Sequence, residues 1–128
     1  MPIKILSWVG PLHIVAGLLL FLTAFVPEVQ DRIAASAGLA GDNYSPFLFA
    51  VLGPTVASWG VLFTAVVRQF IDYPTRRLWH AMVLAVAIWA PLDVGLCWYY
   101  GVVIGAVADG IVFALLFVLL LNVRPRRE

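Results

Sequence analysis

The sequence predicts an all-α integral membrane protein, folded as a four-transmembrane-helix antiparallel bundle in a single domain over residues 1–128. Of the 128 residues, 63% are hydrophobic and only 12% are charged, whereas soluble domains carry about 25% charged residues. The mean hydropathy is +1.00. Four stretches also have the length of about 20 apolar residues that a helix needs to cross a bilayer core of roughly 30 Å.

The four predicted spans are residues 5–26, 46–67, 78–100 and 102–123. A single helix over the last two spans would be about 69 Å long, so the chain must reverse between them. The aromatic run at residues 98–100 suits a membrane interface, and Gly101 permits a tight turn. We therefore expect the third and fourth spans to form an antiparallel hairpin.

The longest loop, residues 27–45, is predicted to contain a short interfacial helix at about residues 28–39. Pro27 and Glu28 are typical of the first turn of a helix. The apolar face of this helix would consist of Val29, Ile33, Ala37 and Ala40. Such a helix would lie along the membrane surface rather than across the bilayer.

The positions of lysine and arginine predict that both termini are cytoplasmic, because cytoplasmic loops are enriched in these residues. With four spans, seven of the eight basic residues fall on one side: Lys4, Arg68, Arg76, Arg77, Arg124, Arg126 and Arg127. The loop on the other side contains Arg32 together with Glu28, Asp31 and Asp42. The sequence therefore predicts an N-in and C-in topology.

Two carboxyl groups inside the predicted third and fourth spans are the main candidate site. Asp93 lies seven residues before Tyr100, and Asp109 lies seven residues after Val102, which places each about 10 Å below the outer interface. Two carboxylates that share a dry site cannot both stay ionised. The pair could hold a proton, bind a cation or anchor a polar group of a ligand. Alternatively, a protonated aspartic acid could bond to the backbone carbonyl left free by Pro91.

The further candidate ligand- or proton-binding residues are Thr23, Thr55, Trp89 in the middle of its span, and His13, which lies nearer the cytoplasmic side. Thr23 and Thr55 fall at a depth similar to that of the aspartates, and Trp89 is four residues from Asp93 and so on its face of the helix. A shared polar cavity is one interpretation. The other is that the threonines bond to their own helix backbone and that Trp89 packs in the core.

No metal site, cofactor or catalytic set is predicted. The single cysteine, Cys97, excludes an internal disulfide, and no HxxxH, ExxH or CxxC spacing occurs. His13 and His80 lie at different depths in their predicted helices, which disfavours a haem bound between them. A net charge of +1 provides no basic face for nucleic acid.

Several features of the layout are shared with a known group of proteins. A first helix with Gly17 and a terminal Pro27 precedes the short amphipathic loop, a glycine-rich second helix ends near Arg68, and the third begins at Arg76 and Arg77. In this pattern the chain resembles the small four-helix bacterial inner-membrane proteins of the DoxX-like and uncharacterised type. The resemblance implies a bacterial inner-membrane location and carries over no functional residue.

Three functions remain open from the sequence. The first is a multi-pass membrane protein that binds a hydrophobic ligand or a partner membrane protein through a polar layer around Asp93 and Asp109. The second is a small oligomeric transporter or channel coupled to protons or cations, because intramembrane carboxyls are typical of such proteins. The third is an isomerase-like enzyme that uses one aspartate as an acid or base. No second catalytic group is evident, so the sequence favours a protein that is not an enzyme. The expected partners are membrane lipid, a hydrophobic small molecule, and a second copy or another membrane protein.

Overall fold

The computed structural model of the protein is all-helical and describes residues 2–36 and 45–125. Those residues form α1 (Pro2–Thr23), α2 (Pro27–Ser36), α3 (Ser45–Asp72), α4 (Arg76–Tyr99) and α5 (Val103–Asn122). Within the described ranges, four helices are long and apolar enough to cross a membrane: α1, α3, α4 and α5. The prediction of four such helices is confirmed to this extent.

The helices differ from the predicted spans at their ends, most clearly in α3. This helix continues past the apolar run to Asp72 and includes Arg68. Backbone hydrogen bonds extend a helix beyond its apolar residues, and a long side chain such as arginine can direct its charge to water. The next helix, α4, is capped by Thr75, whose Oγ1 accepts a hydrogen bond of 3.3 Å from the Leu78 N–H.

The short helix predicted after the first span is present as α2, and the lipid-facing role predicted for its apolar side stays a prediction. Its buried residues are Gln30 and Ala34, whereas Val29 is exposed. The Gln30 N–H donates to the Val26 carbonyl over 3.0 Å. This bond belongs to the tight turn that joins α1 to α2. The predicted face residues Ala37 and Ala40 lie outside the described residues.

The most extensive helix packing in the described structure joins α1 to α3, which run in opposite directions. A Cβ atom added to Gly17 would lie 2.5 Å from the Gly53 carbonyl oxygen, and one added to Gly60 would lie 2.7 Å from the Gly10 carbonyl oxygen. Small residues allow two helix backbones to approach closely. We call α1 and α3 the first helix pair.

The second helix pair, α4 and α5, is joined by a tight turn at Gly101, whose φ of +75° is readily adopted by glycine. The Val102 N–H donates to the Cys97 carbonyl over 2.8 Å, and the Gly101 N–H donates to the Trp98 carbonyl over 3.1 Å. These bonds form a Schellman motif, which ends α4 and reverses the chain. The turn that the sequence predicted at Gly101 is therefore confirmed.

The two helix pairs pack together at one end through a cluster of buried apolar side chains. Its members are Leu6, Val9, Phe63, Val67, Phe70, Trp79, Met82, Val86, Leu116, Leu119 and Leu120. We call this the basic end, because Lys4, Arg68, Arg76, Arg77 and Arg124 lie beside the cluster along the chain. The other end, where α1 leads into α2 and α4 turns into α5, is the loop end. Packing between the pairs is sparse compared with packing within them.

Candidate ligand cavity

A cavity of about 540 Å³ lies between the two helix pairs, and all four long helices contribute to its lining. Its apolar lining residues are Leu52, Val56, Trp59, Trp89 and Val112. Trp59, Trp89 and Val112 also pack against the core cluster. They therefore form the floor of the cavity, and the cluster beneath them separates the cavity from the basic end.

The floor is largely aromatic. The Trp59 indole stacks on Phe63 with a centroid separation of 4.9 Å and an interplanar angle of 15°. Its centroid is 5.9 Å from that of Trp89 and 4.6 Å from the His13 ring. Because Phe63 belongs to the buried cluster, the indole that lines the cavity rests on a packed support. Rigid aromatic surfaces of this kind suit a bound apolar or cationic group.

His13 reaches the cavity from α1 with one ring nitrogen already engaged. Its Nδ1 lies 2.8 Å from the Val9 carbonyl oxygen. A carbonyl only accepts hydrogen bonds, so Nδ1 carries a proton, and Nε2 is the acceptor of the neutral ring. The hydrogen bond fixes the ring position, and a ligand could use Nε2 as an acceptor.

The polar part of the cavity is formed by two carboxyl groups and a thiol. Asp93 and Cys97 are four residues apart on α4 and share one helix face. The chain reversal at Gly101 brings Asp109 of α5 opposite them. One carboxylate oxygen of each aspartate and the Cys97 Sγ all lie within 4.8 Å of one another. We call Asp93, Cys97 and Asp109 the acidic cluster.

The two carboxyl groups of this cluster differ in their contacts. The Cys97 thiol donates to Asp109 Oδ2 at a sulfur–oxygen distance of 3.7 Å. Asp93 has no hydrogen-bond or ion-pair partner among the residues that the structure describes. None of the described side-chain oxygens is both buried and unpaired, so the Asp93 oxygens remain accessible from the cavity. Asp93 is therefore available to a bound molecule.

The same three atoms could also hold a metal ion. The sequence predicted no metal site because the spacings considered pair histidine with histidine or glutamate, and cysteine with cysteine. The Asp93 and Cys97 pair at i and i+4 matches none of these, and Asp109 joins it only through the hairpin. Two carboxylate oxygens and one thiol supply three donors, whereas structural zinc sites use four and catalytic zinc sites keep an open position.

The structure brings most, though not all, of the sequence-predicted residues to this cavity. Asp93, Asp109, Trp89, His13 and Thr55 line it. The Thr55 hydroxyl nevertheless donates to its own helix, at 2.9 Å from the Val51 carbonyl.

Thr23 is not among the lining residues, and its hydroxyl donates to the Leu20 carbonyl over 2.6 Å. Both threonines therefore bond to their own backbone, as in the alternative interpretation of these residues. The polar layer is consequently narrower than the one expected from the sequence.

Among the polar and aromatic lining residues, Cys97 and Trp59 were not identified from the sequence as site residues. Cys97 was considered only as a disulfide or zinc-site residue, although its spacing of four from Asp93 places it on the same helix face. From the sequence, Trp59 is only one of five tryptophans that could form an aromatic lining or belt. Its place in the lining depends on how the two helix pairs pack, because its neighbour Trp89 belongs to the second pair.

Comparison with known proteins places this chain in a family without assigning it an activity. Residues 3–93 match the sequence profile of DUF6463, described as a family of unknown function. The match includes Asp93 and ends before Cys97 and Asp109. No curated protein and no solved structure matches the chain. The resemblance to DoxX-like proteins stays a prediction.

Proposed function

The chain belongs to the DUF6463 family, a family of unknown function, and we propose that it is a multi-pass membrane protein that binds a small apolar molecule bearing a hydrogen-bonding group. The cavity of about 540 Å³, with its aromatic floor and acidic cluster, carries this proposal. Small-molecule sites are concave and mostly apolar, with a few polar groups that orient the ligand. The ligand's apolar body would contact Trp59 and Trp89, and its polar group would bond to Asp93.

The membrane setting of the proposal rests on the surfaces of the four long helices. Large apolar side chains such as Leu19 and Ile111 point outward and are exposed, which suits lipid better than water. We place the four helices across a bacterial inner membrane as an antiparallel bundle, with the basic end and both termini in the cytoplasm. The acidic cluster then lies in the outer half of the bilayer.

A small molecule fits the cavity better than a helix of a partner membrane protein. A helix with its side chains is about 10–12 Å wide and would need an open groove along the membrane. The cavity instead ends on the floor formed by Trp59, Trp89 and Val112. A volume of about 540 Å³ is within the usual range for pockets that hold small ligands, roughly 300–1,000 Å³.

Proton- or cation-coupled transport is the second candidate, favoured by the close approach of the Asp93 and Asp109 carboxyls. The core cluster weighs against it, because Leu6, Leu116 and Leu120 are completely buried between the cavity and the basic end. A transported ion would need a route through this packed region. Ligand binding requires no such route, and we therefore rank ligand binding above transport as the function of this protein.

Binding can be tested with 4-phenyl-1-butanol, which combines an aromatic apolar body with one hydroxyl group. The protein is placed in phosphatidylcholine nanodiscs, and binding is measured by isothermal titration with empty nanodiscs subtracted. We expect saturable binding to the wild-type protein. Val112→Trp should abolish it, because a larger side chain at the cavity floor would occupy the ligand volume.

The matched control is Val118→Trp, which lies on the same helix at an exposed position away from the cavity. This variant should bind the alcohol with the wild-type affinity. If the wild-type protein binds neither this alcohol nor the amine with the same apolar body, 4-phenylbutylamine, or if Val112→Trp binds as well as the wild type, the cavity is not the proposed binding site.

A further inference from the structure

The charges around the cavity are unbalanced. Its lining contains two carboxyl groups, Asp93 and Asp109, and among the described residues that line it there is no lysine or arginine. Basic side chains near the end of α3 and at the start of α4, such as Arg68 and Arg76, lie at the opposite end of the helices. Both carboxyl groups are half-buried, and a carboxylate that is partly removed from water is stabilised by a positive partner. A cationic ligand would supply the missing charge.

The floor of the cavity favours the same kind of ligand. The indoles of Trp59 and Trp89 both line the cavity, with ring centroids 5.9 Å apart. The face of an indole ring attracts a cation more strongly than that of any other aromatic side chain, and the attraction increases when water is excluded. Carboxylates on one side and indoles on another form an environment typical of sites that bind substituted ammonium groups.

We infer that the ligand of this cavity is an organic cation: an amine whose ammonium group is bound by Asp93 and Asp109 and whose apolar body lies against Trp59 and Trp89. The inference rests on the proposed function and specifies its ligand class. An ammonium group provides N–H donors for the Asp93 oxygens, which have no hydrogen-bond partner among the described residues. Charge-assisted hydrogen bonds of this kind are roughly twice as strong as neutral ones.

A bare divalent metal ion explains less of the site. It would use the Asp93, Cys97 and Asp109 donors and leave most of the cavity, including both indoles, without a role. An amine uses the carboxyls and the aromatic floor together. The metal ion is therefore an outcome that the experiment must be able to detect.

The test compares 4-phenylbutylamine with 4-phenyl-1-butanol, which have the same apolar body and differ in the charged amine. Titrations use the 128-residue chain in phosphatidylcholine nanodiscs, whose lipids carry no net charge, with empty nanodiscs subtracted. We expect the wild-type protein to bind the amine at least tenfold more tightly than the alcohol. The Asp93→Asn and Asp109→Asn double variant should bind both compounds with similar affinity.

Asp72→Asn is the matched control, because Asp72 is exposed at the end of α3 and outside the cavity. It should keep the wild-type preference for the amine. The wild-type affinity ratio tests the inference even if the double variant does not fold.

Equal affinities for the two compounds in the wild-type protein would overturn the amine assignment and leave the proposed function standing. Absence of binding by both would overturn the proposed function as well. Tight binding of Cd²⁺ alone, which the Asp93→Asn and Asp109→Asn double variant loses, together with no preference for the amine, would replace the organic cation with a metal ion.

Discussion

The Cys97 thiol donates a hydrogen bond to Asp109 Oδ2 across the α4 and α5 hairpin, at a sulfur–oxygen distance of 3.7 Å. The helices come close beside this contact, since a Cβ atom added to Gly105 would lie 2.9 Å from Cys97 Sγ. The thiol thereby helps to hold one carboxylate oxygen of Asp109 in position. The other carboxyl of the acidic cluster, that of Asp93, is open to the cavity.

Asp109 and Cys97 should therefore contribute unequally to the binding of 4-phenylbutylamine. Asp109→Ala should lower the affinity more than tenfold, because a hydrogen bond to a charged group is worth about 1.5–3 kcal/mol. Cys97→Ala should lower it less than about fivefold, because a thiol is a weak donor that acts here through Asp109. Cys97→Ser should bind the amine with nearly the wild-type affinity, since the serine hydroxyl is also a hydrogen-bond donor. Titration would contradict this ranking if Cys97→Ala and Asp109→Ala caused equal losses.

Gly17 should be intolerant of substitution because α1 and α3 are in backbone contact there. Gly17→Ala should lower the free energy of unfolding by about 1–3 kcal/mol, the usual cost of overpacking. Gly110→Ala is the control, because a Cβ atom added at Gly110 meets nothing within 4 Å among the described residues, and it should change stability by less than about 1 kcal/mol. Reversible unfolding in mixed micelles measures both, and similar losses would argue against the observed packing.

Leu116 should be among the most important residues of the core cluster. It is 0% exposed, whereas its neighbour Leu115 is 52% exposed on the outer side of α5. Leu116→Ala should destabilise the protein by about 2–5 kcal/mol, which is typical of a buried leucine. Leu115→Ala should cost much less. A greater loss for Leu115→Ala in the same unfolding assay would show that α5 is rotated relative to the observed structure.

Trp79 joins α4 to α5 at the basic end, where its Nε1 donates to the Leu120 carbonyl over 2.8 Å. Trp79→Phe keeps an aromatic ring and removes this buried donor, so it should lower stability by about 0.5–1.5 kcal/mol from the hydrogen bond alone. The control is Trp98→Phe at an exposed site, which should have little effect. An unchanged unfolding free energy in Trp79→Phe would show that the bond contributes nothing.

The proposed N-in and C-in topology predicts which exposed sites a membrane-impermeant thiol reagent can reach in intact cells. In a Cys97→Ala background, Phe25→Cys at the loop end should be labelled from outside, and Tyr73→Cys at the basic end should not. Both native side chains are exposed, and both sites should be labelled after the cells are permeabilised. Labelling of Tyr73→Cys alone in intact cells would reverse the topology.

The sequence predicts the helices well because their signals are local. Apolar length identifies the four long helices, and the Gly101 turn follows from one glycine beside an aromatic run. The side of α2 that packs on the other helices contains Gln30 and Ala34, and the apolar periodicity of this short helix does not predict that side.

The sequence predicts only the part of the site whose residues are brought together by the single hairpin of α4 and α5. Equal spacing from the turn at Gly101 is enough to bring Asp93 and Asp109 together. Trp59 lies on the first helix pair, and its place beside Trp89 depends on how the two pairs pack, which no local pattern encodes. Thr23 was included among the predicted site residues because of its depth alone, although its hydroxyl bonds to its own helix.

The most direct test of the account is an experimental structure of the protein extracted with its surrounding lipid into nanodiscs and supplied with 4-phenylbutylamine. We expect density for the amine between the two helix pairs, with its nitrogen beside Asp93 and Asp109 and its ring against Trp59 and Trp89. A structure in which the helix pairs close over the cavity, or in which Asp93 faces lipid and no amine is bound, would contradict it.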